Sequence, residues 1–206
     1  MNCPLCQNSG DRVPKSSFYL CTECRGFFRD FRQLPSVEQE RARYETHNND
    51  VNDPRYQKFV WPVVSAVMRD FTEKHSGLDF GAGTGPVISK LLLDRGFSIA
   101  QYDPLFYDYP NLLELSYDYI VCSEVVEHFH SPRKEFALLK SLLEPKGRIY
   151  CMTKLYSPEI DFTKWHYIND LTHVFIYRRE TMEWIKREYG FSSCIIEDRL
   201  VVFTNP

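Results

Sequence analysis

Four cysteines crowd the first 24 residues as two C-x-x-C pairs, Cys3 with Cys6 and Cys21 with Cys24, and 14 residues separate the pairs. Each pair can set two thiolates on one side of a tight turn. Four such sulfurs satisfy a tetrahedral Zn2+ and leave no coordination position for catalysis, so the expected ion is structural. A thioredoxin-like redox pair wants a strand–helix context, which a stretch carrying Ser9, Gly10 and Pro14 does not provide. In so short a segment the metal replaces the missing core, because its binding free energy is folding free energy. Cys122, Cys151 and Cys194 sit in apolar strand patterns and read as small buried hydrophobes.

A second chemical signature is Leu78-Asp79-Phe80-Gly81-Ala82-Gly83-Thr84-Gly85, followed by the apolar run Val87-Ile88-Ser89-Lys90-Leu91-Leu92-Leu93. Glycines at alternate positions let a ligand approach the backbone, and the helix behind presents free N–H groups. Pro86 stands where a dinucleotide fingerprint wants its third glycine, and it suits the first position of a helix. The next strand, Ser98 to Tyr102, ends at Asp103, 18 residues after Gly85. A carboxylate there is placed to hold a ribose diol.

LDFGAGTG, Tyr102-Asp103-Pro104 and the run YDYIVCSEVVEHF from Tyr117 to Phe129 together resemble the class I S-adenosylmethionine (SAM)-dependent methyltransferases, over roughly Tyr44 to Pro206. The resemblance implies that Gly81, Gly83, Gly85 and Asp103 contact SAM, with Asp79, Ala82, Thr84, Pro104, Ser123 and Glu124 beside them. Three further elements are similar to a bacterial subgroup of quinone-type or sugar C-methyltransferase-like proteins: Tyr44-x2-His47-Asn48-Asn49, Glu127-His128, and Asp170-x-Thr172-His173. By that likeness Tyr44 and His47 join the cofactor residues, and His173 and His128 act as base or acceptor anchor. His130 and His166 are weaker candidates. The acidic residue expected after a third strand is not evident in DYPNLLELS, so adenine contacts fall to backbone groups or to Phe106 or Tyr107.

The elements that must position these groups follow from pattern. Residues 1–34 form the zinc ribbon, residues 35–75 a helical linker or lid, and residues 76–206 the SAM-binding domain. In the linker, Ser36 reads as an N-cap and Asp53-Pro54 opens a helix whose Phe59, Val60, Val63, Val64, Val67, Met68 and Phe71 form one apolar face. Pro62 should kink that helix or mark its true start. Strands are expected at about 77–81, 98–102, 117–123 and 147–154, then near 191–198 and 199–204, with helices at about 85–95, 131–143 and 179–189. The Asp198-Arg199 junction suits a hairpin with an antiparallel last strand. The fold class is α/β, a doubly wound, seven-stranded Rossmann-like sheet, although the 13 residues between Asp103 and Tyr117 are short for a helix–strand unit.

Composition bounds the partners. The 206 residues hold 43% hydrophobic and 26% charged side chains, which suits a globular chain, and 25 Lys and Arg against 28 Asp and Glu give a net charge of −3. That balance disfavours phosphate-backbone binding, and together with the aromatic and histidine-bearing stretch Trp165-His166-Tyr167-Ile168-Asn169-Asp170-Leu171-Thr172-His173, which suits a loop over a pocket, it supports a methyltransferase for a small-molecule O- or C-acceptor. The alternatives are an RNA methyltransferase that reads nucleic acid through the ribbon's Arg25, Phe27, Phe28, Arg29, Phe31 and Arg32, and a catalytically silent SAM-binding adaptor. For those six residues, docking the ribbon onto the catalytic domain is the favoured role. No signal peptide and no 18-residue apolar run are found, so a cytoplasmic location without membrane contact is expected.

Overall fold

The computed structural model describes residues 1–46 and 49–206. It opens with three short strands, β1 (Gly10–Arg12), β2 (Phe18–Cys21) and β3 (Phe27–Arg29), paired antiparallel in sequence order. Two helices follow. α1 (Val37–Glu45) begins with a reciprocal cap in which Ser36 Oγ accepts from the Gln39 amide and Gln39 Oε1 accepts from the Ser36 amide, as a Ser followed three residues later by Gln allows. It is mostly polar and buries none of its residues, so side-chain contacts, not a core, must hold it.

α2 (Pro54–Asp70) is the opposite case. Asp53 caps it by accepting from the Arg55 amide, Pro54 takes the first turn, and Val60, Val63, Val64, Ala66 and Val67 are buried. The helix runs on through Pro62, which therefore does not mark its start. Losing the one hydrogen bond that Pro62 cannot donate is offset by the apolar face: full burial of each valine is worth roughly 1.5–3 kcal/mol before ordering entropy.

The main sheet is built from β4 (Ser76–Phe80), β5 (Ser98–Tyr102), β6 (Tyr117–Ser123), β7 (Leu143–Met152), and, after the two-residue β8 (Phe175–Ile176), β9 (Ser193–Glu197) and β10 (Leu200–Thr204). Its order is β5-β4-β6-β7-β10-β9. The first four strands are parallel, and β10 runs antiparallel to both β7 and β9. Helices α3 (Val87–Leu93), α4 (Pro132–Ser141) and α5 (Arg179–Glu188) complete the layers, with α2 and α3 sharing one core cluster against the sheet.

The sheet has six strands among the described residues, not the expected seven. Between β5 and β6 there is one 3-10 turn, Pro110–Glu114, because a further parallel strand would need a crossover of a dozen or more residues on top of its own length. β7 also starts four residues earlier than its apolar run implies, with a register irregularity opposite Tyr117 and Tyr119. The N-terminal sheet does not end with β3: Phe27 pairs with Ile176 and Phe28 with Phe175, so β8 adds a fourth strand donated by the body of the chain. Among the described residues no helix is long and apolar enough to cross a membrane.

Candidate functional site

Glycine is required where β4 gives way to α3. Gly81 has φ +82° and Gly83 φ +61°, the left-handed region that side chains resist. A Cβ on Gly85 would lie 2.0 Å from the Asn49 carbonyl oxygen, so the chain entering α2 rests directly on the loop, whereas none of the described residues comes within 4 Å of the Cβ position at Gly83. Across from this opening, Asp103 is buried at the end of β5. Its Oδ2 accepts from the Gly83 amide (3.0 Å), and its Oδ1 accepts from the amides of Leu105 (2.8 Å) and Phe106 (3.2 Å). Oδ1 is thus fully used, and Oδ2 keeps one acceptor direction.

The other loop positions divide by role. Ala82 is near-buried and its amide donates to the Tyr102 carbonyl. Thr84 is exposed and its hydroxyl accepts from the Asn49 side chain. Asp79 is committed inward: Ser89 Oγ of α3 donates to it at 2.7 Å, and burial lifts its carboxyl to about 6. Pro104 is exposed and Ser123 half-buried at the end of β6. His47 lies outside the described residues.

The turn after β6 concentrates strain and charge. Glu124 adopts φ +52°, which costs a non-glycine residue about 1 kcal/mol, while its amide donates to the Met152 carbonyl. Its Oε1 is buried with no partner among the described residues, and its carboxyl is pushed up to about 8 by burial and then by the neighbouring Glu127. Glu127 is fully buried: Oε1 accepts from the Tyr167 hydroxyl at 2.5 Å, Thr153 Oγ1 lies 3.0 Å from that hydroxyl, and Oε2 has no partner among the described residues. Burial raises it to about 6. Glu127 stands out in the sequence, but its bond to Tyr167, 40 residues away, does not. The available signal was a carboxylate inside the apolar run Val125-Val126-Glu127, which must find a donor when buried.

Two histidines meet beside this pair. His128 Nδ1 donates to the Thr172 carbonyl (2.8 Å) and His173 Nδ1 to the Tyr167 carbonyl (2.7 Å), which leaves Nε2 of a neutral His173 as the nitrogen bearing the lone pair. Their ring centroids are 4.9 Å apart, and the Tyr44 ring from α1 sits edge-on to His128 at 5.4 Å. A nitrogen of each histidine and a Glu127 oxygen lie within 4.8 Å of one another. Burial, then His128, holds His173 down at about 4, so it is neutral at physiological pH.

A cavity of about 950 Å³ opens at His173, walled by Gln39 and Arg43 of α1, Leu34, and Asp170 and Leu171 of the loop before β8. α1 is tethered across it: Arg43 pairs with Asp170 (2.8 Å), Glu40 with His130 Nε2 (2.8 Å), and Arg41 donates to the Leu105 carbonyl (2.6 Å). His130 is thus spent on α1, and His166 faces Lys154 at 3.1 Å.

The four N-terminal cysteines gather as their spacing requires. Cys3 Sγ is 3.6 Å from Cys24 Sγ, Cys6 Sγ is 3.2 Å from Cys21 Sγ, and all four lie within 4.8 Å of one another. Sulfurs around a tetrahedral zinc at 2.3 Å would be about 3.8 Å apart, so the cluster has the right size. Of the ribbon's aromatic and basic set, Phe27, Phe28 and Arg29 are buried against the body, while Phe31 is 66% exposed.

Comparison with known proteins agrees with this geometry. No curated protein matches the chain in sequence. Among solved structures, human N-acetylserotonin methyltransferase in complex with SAM superposes with TM-score 0.56 at 12% identity, covering 84% of this chain and 60% of that one. An O-methyltransferase family protein from Burkholderia thailandensis gives 0.54 at 13%, covering 84% and 64%. Magnesium protoporphyrin IX methyltransferase from Synechocystis with bound S-adenosylhomocysteine (SAH) gives 0.50 at 16%, covering 83% and 95%. The chain spans less than two-thirds of the first two. Residues 44–194 match the family model described as a methyltransferase domain, which is well over half of the length. The chain belongs to the family of SAM-dependent methyltransferases.

Proposed function

We propose that the protein transfers the methyl group of SAM to a small-molecule oxygen or carbon acceptor, with a histidine accepting the proton. The observation that carries this reading is one crevice holding a glycine loop, a strand-end carboxylate with a remaining acceptor direction, and a buried Glu124 oxygen that is unpartnered among the described residues. These fit SAM: the loop takes the amino-acid portion, Asp103 Oδ2 a ribose hydroxyl, and Glu124 the positive charge. When bound, SAM supplies an electrophilic methyl group on a sulfonium.

The chain's own residues then orient, dry and deprotonate. Gly81 to Gly85 and Asp103 align the donor, with Tyr44 of α1 closing over the same crevice. α1 acts as a lid whose side-chain tethers exclude water and can release. The acceptor occupies the cavity beside His173, whose Nε2 takes the proton while its Nδ1–H stays on the Tyr167 carbonyl. His128, whose ring lies 4.9 Å from that of His173, anchors the acceptor. Positioning accounts for much of the rate, since an in-line displacement needs donor and acceptor held at near-contact distance.

The ribbon holds Zn2+ through Cys3, Cys6, Cys21 and Cys24 in a structural role, on the strength of the sulfur spacing. Burial of Phe27, Phe28 and Arg29 favours a docking ribbon over an RNA-reading one. The acceptors in the names of two fold neighbours, N-acetylserotonin and magnesium protoporphyrin IX, are also small molecules. A tritium-transfer assay from labelled SAM into fractionated small molecules and RNA tests the proposal. Label in a small-molecule fraction is expected; label confined to RNA, or cofactor binding with no transfer to any fraction, would favour the RNA enzyme or the silent adaptor.

A further inference from the structure

We infer that Arg29, carried by ribbon strand β3, is the positioning residue for His173, so that the ribbon serves the reaction by fixing the acceptor loop; its catalytic meaning rests on the function proposed above. Arg29 is only 6% exposed. Its Nε donates to the His173 carbonyl (3.2 Å), and its Nη2 donates to the carbonyls of Ile168 (3.1 Å), Asp170 (2.9 Å) and His173 (3.2 Å). On the ribbon side, Nη1 donates to Ser17 Oγ (3.0 Å), and the Phe18 ring lies 4.6 Å below the guanidinium carbon. One planar fork thus gathers three carbonyls of a loop that has no regular strand or α-helix of its own.

The backbone repeats the connection. Arg29 N–H donates to the Val174 carbonyl (2.8 Å), and Val174 N–H donates to the Glu127 carbonyl (2.9 Å), linking β3, the acceptor loop and the turn after β6 in one row. Among the described residues Arg29 forms no ion pair, so a buried positive charge is compensated by carbonyl dipoles and by the more distant Asp170. Burying a charge in that way is costly, and the fork geometry is what makes it tenable. A lysine at this position keeps the charge but cannot reach all three carbonyls.

The charge also faces His173. Around that imidazole stand the His128 and Tyr167 rings, the Glu127 and Asp170 carboxylates, Arg43 across the cavity, and Arg29. Burial and His128 lower its affinity for a proton most, Arg29 acts in the same direction, and Asp170 and the Tyr167 carbonyl oppose them. Removing the positive charge at position 29 therefore lets His173 bind a proton at higher pH.

The test needs no acceptor. The ring resonances of His173, assigned with a His173→Gln variant, are followed by NMR against pH in the zinc-loaded wild type, Arg29→Met and Arg29→Lys, with SAH binding measured in each. In Arg29→Met the titration midpoint is expected to move to higher pH. In Arg29→Lys the resonance is expected to shift at fixed pH, because the fork is lost, with the midpoint near wild type. SAH affinity should stay within about twofold, because among the described residues the Arg29 side chain bonds to none of the groups assigned to the cofactor. A His173 resonance with unchanged position and midpoint in folded variants overturns the inference, and Arg29→Lys decides it alone if the methionine variant does not fold. Absence of SAH binding by the wild type would instead remove the cofactor reading, whatever the titration shows.

Discussion

The ribbon and the strand-end crevice both collect reactive groups, but they leave them in different conditions. In the ribbon, four sulfurs face one another at 3.2–3.6 Å across each close pair, a closed shell of the size one tetrahedral ion would fill. In and beside the crevice, among the described residues, Glu124 Oε1 and Glu127 Oε2 are buried without partners, no atom comes within 4 Å of the Cβ position at Gly83, and His173 commits its Nδ1 to the Tyr167 carbonyl. A closed shell contributes stability and little reactivity. Unfilled valences in a buried site cost stability and are tolerated where a ligand fills them.

Removing a ribbon ligand should give the largest effect. Cys24→Ser, or chelation of the metal, is expected to unravel β1 to β3, because the apparent binding free energy of such sites is about 10–16 kcal/mol. Metal content and a thermal melt check this; an unaltered melt with the metal gone would make the two regions equivalent. Next comes His173→Gln, expected to lower turnover by about 10²–10⁴-fold while SAH affinity holds. Since His173 is held at about 4, wild-type activity should not lose this base until the pH falls towards that value.

Asp103→Ala is expected to weaken SAH binding by about 1–3 kcal/mol, read by calorimetry, since an orphaned Gly83 amide and a lost ribose contact combine. Glu124 gives a subtler signal. Its carboxyl is raised to about 8, so it is mostly protonated at neutral pH, and a cationic ligand favours the ionised form. SAM binding at pH 7 should therefore release protons, seen as a heat that varies with buffer, and Glu124→Gln should abolish that dependence. Smallest of all, Phe31→Ser at the exposed edge of the ribbon should change stability by no more than about 0.5 kcal/mol.

The sequence was most legible where local chemistry dictates structure. Ser36, Asp53 and Pro54 mark helix starts by capping, the alternate glycines mark the turn after β4, and the cysteine spacing marks a four-sulfur cluster. What could not be read was produced by contacts distant in sequence. The pairing of β3 with β8 joins residues some 150 positions apart, and Arg29 reaches the loop that carries His173. Neither leaves a periodic signal. The Glu127–Tyr167 bond and the tethering of His130 to Glu40 are of the same kind. The missing seventh strand was foreshadowed by the short Asp103–Tyr117 spacing, where chain length outweighs family pattern.

The central claim is that SAM lies across the ends of β4 and β5. A structure of the intact protein crystallised with SAH tests it most directly. Ligand density is expected along Gly81 to Gly85, with a ribose hydroxyl on Asp103 Oδ2 and a ligand group on Glu124 Oε1. Density elsewhere, or an empty crevice at saturating ligand, would contradict it.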